Sequence, residues 1–169
     1  MDPTVTRKSI DASSPESQGR KWLQGLGADG RSFLPPEYQN SGFNDSLSLR
    51  HLKVDRVESG LVIATLTVKP SLTNGYNTLH GGASATVASI VAMAAVKTLS
   101  GADKTFSLSE MGISYISAAS INVELEIEAK VLRFGKSIAV SSIDIRNKTT
   151  KQITFQGRAT FYHMPTSSL

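Results

Sequence analysis

The run Asn74-Gly75-Tyr76-Asn77-Thr78-Leu79-His80-Gly81-Gly82 brings one imidazole and two successive glycines to the point where a polar stretch becomes apolar. The residues that follow, 83–96, are mostly alanine and valine with a few hydroxyls, and they read as a helix that opens at the glycines. Backbone N–H groups in a first helical turn have no intrahelical partner, and the helix dipole adds partial positive charge there. A helix start of this kind can receive an anion, or the oxyanion that forms when a carbonyl is attacked. Glycine lets a ligand approach the backbone closely. Asn74-Gly75 also suits a plain turn, and the His80 imidazole suits either a base or a loop-ordering group.

The rest of the composition narrows the chemistry. No cysteine occurs, and His51, His80 and His163 are scattered, so thiolate nucleophiles, disulfides and a protein-built metal site are not expected. A net charge of +4 with no Lys/Arg run longer than a pair argues against nucleic acid and fits a phosphate-bearing ligand such as a nucleotide or coenzyme A. The N-terminus lacks the apolar core of a secretory signal, and Ala83–Val96 is shorter than a bilayer span. These features predict a soluble cytoplasmic protein with no membrane partner. The terminal Ser167-Ser168-Leu169 loosely matches a peroxisomal address without its lysine.

The elements that must hold the loop follow from periodicity. A helix is expected from Ser14 to Gly25 or Gly27, then a Gly/Pro-rich connection over Gly27–Asn44. Leu47–Val57 reads as a strand whose apolar parity switches, implying a bulge, and Leu61–Lys69 as a second with Val62, Ala64, Leu66 and Val68 on one face. The helix from about Gly82 to Leu99 is apolar all round, which predicts burial on every side. Strands are expected over Thr105–Ile116, Ile121–Leu132, Ser137–Arg146 and Gln152–His163. In the second of these, Leu125, Ile127 and Ala129 alternate with Glu124, Glu126 and Glu128. The expected architecture is α+β, an antiparallel sheet wrapped around one long helix. Residues 1–46 form an N-terminal extension, 47–163 the domain and 164–169 a tail.

The Asn74…His80-Gly81-Gly82 loop, the small-residue helix, Ser114-Tyr115-Ile116 and the turn Arg133-Phe134-Gly135-Lys136-Ser137 together resemble the hotdog-fold acyl-CoA thioesterases of the phenylacetate-degradation type. The resemblance covers roughly residues 47–163. It implies hydrolysis of an acyl-CoA in a homodimer or homotetramer, with no cofactor beyond the coenzyme A of the substrate. It also implies that the Gly81 N–H polarises the thioester carbonyl, that Asn74 and His80 position loop or substrate, and that Gly82 lines the substrate site. Arg133 and Lys136 would meet coenzyme A phosphates, although such charges also suit an ordinary solvated turn.

The family's helix carboxylate falls at Ser89, and its assisting strand serine at Leu108. No Asp or Glu lies between Glu58 and Asp103, so the helix holds no carboxylate base. Such assistance is typically worth ~10²–10⁴ in rate. Three routes remain open from the sequence. Glu110, two residues beyond Leu108 and so expected on the same strand face, is one base, unless it sits on a solvated edge. His80 is another, unless it only orders the loop. The third is an acyl-CoA or lipid-binding module with little or no turnover, in which Ser89 serves close packing.

Overall fold

Strict alternation in the central strands and small residues in the long helix let one sheet fold closely over one helix. The computed structural model describes residues 43–100 and 104–164, all within one unit, Gly42–Leu169. The helix expected from Ser14, the connection up to residue 42 and the C-terminal tail lie outside the described residues.

The order is helix α1 (Phe43–Leu49), strands β1 (Leu52–Glu58) and β2 (Leu61–Thr67), a 3-10 turn at Pro70–Leu72 and helix α2 (Gly81–Ser100). Strands β3 (Thr105–Tyr115), β4 (Glu124–Phe134), β5 (Ile138–Asn147) and β6 (Ile153–Met164) follow. They form one antiparallel sheet in the order β1-β2-β4-β5-β6-β3, so β1 and β3 are its edges. This is the hotdog arrangement that the sequence implies. Val62, Ala64 and Leu66 of β2, Leu125, Ile127 and Ala129 of β4, and Ile143 and Ile145 of β5 bury against α2. On the helix, Val87, Ala88, Val91, Ala92, Ala95 and Val96 form the facing stripe. Three alanines with no exposed surface let helix and sheet approach closely.

Three expectations need correction. Leu47–Leu49 are helical, the last turn of α1, and the strand begins at Leu52; its bulge lies between Val54 and Arg56. Helix α2 is not buried on every side, because Thr86, Ser89, Ile90 and Met93 stay only partly covered opposite the core stripe. A single curled sheet reaches round only part of a helix. At 20 residues α2 is also long and apolar enough, by length and composition, to cross a membrane, since the helix runs on past residues 83–96 at both ends. Its buried stripe is nevertheless that of a core helix.

Candidate functional site

The loop before α2 is built around Asn74. Its Oδ1 accepts the N–H of Tyr76 at 2.9 Å and of Thr78 at 3.3 Å, while its backbone N–H and C=O bond Thr78 and Asn77. Both functions of this amide are spent on the turn, with Asn77 at positive φ completing it. Asn74 therefore orders the loop. The loop is tied to its surroundings by Leu79 N–H to the Ala119 carbonyl and His80 N–H to the Leu72 carbonyl, both at 2.8 Å.

His80 caps α2. Its Nδ1 accepts the Gly82 N–H at 2.9 Å, and its carbonyl accepts from Ser84 through N–H at 3.0 Å and Oγ at 3.3 Å. With its imidazole lone pair engaged at Nδ1, neutral His80 carries its proton on Nε2 and is a donor at that nitrogen. Of the two readings of His80, base or loop-ordering group, this hydrogen bond supports the second.

Tyr115, at the end of β3, donates from its hydroxyl to the Gly81 carbonyl at 3.0 Å. Added methyl groups would press at 3.3 Å on the Tyr115 ring at Gly81 and at 3.1 Å on His80 Nδ1 at Gly82, so both contacts are closest with glycine. Among the described residues the N–H groups of Gly81 and Ala83 have no hydrogen-bond partner. Two donors of the first helical turn are thus open on either side of the engaged Gly82 N–H. Beside the Ala83 N–H lies an open-sided cavity of about 340 Å³ lined by His80, Gly82, Ala83 and Thr86 with Leu72 and Ser48. Sequence reasoning missed Tyr115 as a site residue and the α1 wall of the cavity; Tyr115 was visible only as part of a motif.

The remaining expected residues are not brought into this cavity. Ser89 lies one turn further along the face of Thr86, and its Oγ donates to the Thr86 carbonyl at 2.8 Å, a bond within its own helix. Leu108 and Glu110 are on edge strand β3, but they do not share a face. The β3–β6 register shifts between them: Leu108 opposes buried Phe161, and Glu110 opposes Thr160, which points away from the helix. The bulge at Ser109 inserts one residue and reverses the parity, so Glu110 stands on the outer face and the expectation that it shares a face with Leu108 is corrected. Arg133 and Lys136 are exposed at the end of β4 and in the turn after it, with no ion-pair partner among the described residues. No group of His, Asp or Glu among the described residues is arranged to hold a metal ion.

Comparison with known proteins agrees with this construction. Residues 76–154, from inside the loop to β6, match the thioesterase superfamily. Mouse acyl-coenzyme A thioesterase 13 is 42% identical over 100 residues, spanning 59% of this chain and 70% of that protein. The chain belongs to the thioesterase superfamily. Among superfamily structures, zebrafish thioesterase superfamily member 2 superposes with a TM-score of 0.68 at 30% identity, covering 74% of this chain and 88% of its own. A Streptococcus pneumoniae thioesterase protein with coenzyme A superposes with a TM-score of 0.66, covering 72% and 92%. At 20% identity that second likeness is one of fold. The superfamily match begins inside the Asn74–Gly82 loop and includes the whole of α2, so the elements that build the open N–H groups are the shared ones.

Proposed function

We propose that this thioesterase-superfamily chain hydrolyses acyl-CoA thioesters to the free acid and coenzyme A. The observation that carries the reading is the pair of unpartnered N–H groups, Gly81 and Ala83, at the start of α2, with Ala83 lining an open-sided cavity. Water oxygen attacks the thioester carbon, and the oxyanion that develops is met by these donors and the helix dipole. The C–S bond then breaks, the carboxylic product leaves, and the departing coenzyme A thiolate takes up a proton in exchange for the one that the attacking water gives up. His80 Nε2–H, on the cavity wall, is a donor suited to the substrate or leaving group rather than to the attacking water. Purified protein should release free thiol from acyl-CoAs above background; no release across short, medium, long and aromatic acyl groups would end this reading.

A homodimer supports the site. Edge strand β1 carries Lys53, Asp55, Arg56 and Glu58, the charges that keep an edge from pairing, while the eleven residues of β3 carry only Glu110. Exposed Leu108 and Tyr115 lie on β3, with Ile116 just beyond, and the half-covered face of α2 also awaits a cover. A second copy pairing along β3 would meet these groups.

One observation favours a second reading, acyl-CoA binding with little turnover. Ser89 stands where relatives of this type are expected to carry the helix carboxylate, and its hydroxyl is already bonded to Thr86. Ser89→Asp separates the two. A gain of ~10-fold or more in kcat marks a hydrolytic site short of a base, whereas unchanged hydrolysis with tight coenzyme A binding favours the binding module.

A further inference from the structure

We infer that Tyr115 is a positioning residue for the oxyanion site, acting with His80 to clamp the peptide group between Gly81 and Gly82; this rests on the hydrolytic reading above. The two hydrogen bonds around these glycines engage one and the same peptide. Tyr115 Oη donates to its carbonyl at 3.0 Å, and His80 Nδ1 accepts its N–H at 2.9 Å. A peptide group is planar, so holding it at both ends fixes its orientation. The peptide before it is held through the His80 carbonyl by Ser84. Free N–H groups flank the clamp on each side, Gly81 before it and Ala83 after it.

The clamp answers a difficulty that the sequence creates. Successive glycines make the first turn of α2 the least restrained part of that helix, so donors on it gain from being fixed in advance. Electrostatic stabilisation of an oxyanion is effective only when the donors are already aimed. Glycine suits the clamp, since a Cβ at Gly81 would press on the Tyr115 ring at 3.3 Å and one at Gly82 on His80 at 3.1 Å, each needing a shift of a few tenths of an ångström. The clamp therefore holds still the residues whose lack of side chains makes it fit.

Tyr115 is itself anchored. Its ring packs edge-on against Phe155 with centroids 5.6 Å apart, and Phe155 is buried in β6 directly opposite it. It reaches the helix side of the sheet because the Ser109 bulge sets Met111, Ile113 and Tyr115 on that face. Tyr115 belongs to the edge strand, so formation of that edge is coupled to the aim of the donors.

Tyr115→Phe tests this, because it keeps the ring and its Phe155 contact and removes only the O–H. Hydrolysis by the variant should show kcat lower by ~10-fold, a fraction of what losing a whole donor costs, with KM changed less than about twofold. The second readout needs no turnover: the 13C carbonyl shift of a bound acyl-CoA analogue with methylene in place of sulfur. Wild type should displace that resonance downfield, and the variant should return it part of the way to its position in water at equal affinity. A variant with wild-type kcat and wild-type carbonyl shift overturns the clamp alone. Wild type that neither hydrolyses acyl-CoA nor displaces the resonance overturns the hydrolytic reading, and the clamp with it. A variant that loses kcat and affinity together with its melting temperature, while the bound carbonyl shift stays at the wild-type value, assigns Tyr115 to folding and overturns the inference.

Discussion

Two hydroxyl or amide groups with opposite hydrogen-bond status show what single side chains contribute. Asn74 makes its bonds within the turn, each neutral bond being worth roughly 0.5–1.5 kcal/mol net. Asn74→Ala should lower unfolding free energy by about 1–2 kcal/mol in a denaturant titration and cut hydrolysis by disordering the loop rather than by removing a group that touches substrate. Ser141 is the reverse case. It is fully buried on the helix side of β5, and its Oγ has no partner. Ser141→Ala should raise the denaturation midpoint, by about 1 kcal/mol in stability, because it removes a desolvated hydroxyl and leaves a gap smaller than a methyl group. A fall of similar size would mean that the hydroxyl is satisfied.

Strand pairing adds a pH-dependent tie on the outer face. Asp55, the bulge residue of β1, accepts a short hydrogen bond from Thr65 of β2, and Lys148 donates to that Thr65 hydroxyl at 2.8 Å. The Thr65 bond, followed by the charges of Lys148 and Lys53, holds the Asp55 carboxyl below its ordinary value despite some desolvation in the other direction. A carboxyl with a lowered folded-state value stabilises the fold above its unfolded value and loses that contribution as pH falls through the folded one. The melting-temperature gap between wild type and Thr65→Val should therefore narrow as pH falls from 7 toward 2; a gap independent of pH would remove Asp55 from the account. The same strands show what a sequence reveals. Leu125, Ile127 and Ala129 alternate with glutamates because β4 is regular there and half-buried, and each lies on the face that its parity indicates. The Asn74–Gly82 loop and the start of α2 were legible because glycines and a helix cap are local signals. The face of Glu110 was not legible, since a bulge depends on the partner strand's register, and neither was the contact between Tyr115 and Gly81, 34 residues apart. Helix α1 escaped because Leu47 and Leu49 also fit the alternation of a strand.

For the whole molecule, the asymmetry of the two sheet edges bears on the proposed homodimer. The charged β1 edge repels, and the β3 edge invites. Leu108→Lys places a charge on the helix side of that edge, where Leu108 is 43% exposed. It should shift the protein from dimer to monomer in sedimentation velocity and lower hydrolysis with it; a dimer of wild-type strength would place the interface elsewhere. The Ser109 bulge has a further consequence for that edge, one of chain length. Ser109 is the residue without a counterpart on β6. Deleting it would straighten the strand yet leave Leu108 and Glu110 on the faces they now occupy, whereas deleting a paired residue away from the bulge would invert the side chains between the cut and the strand end. This edge thus has one position at which the chain can shorten without scrambling what it shows to either side.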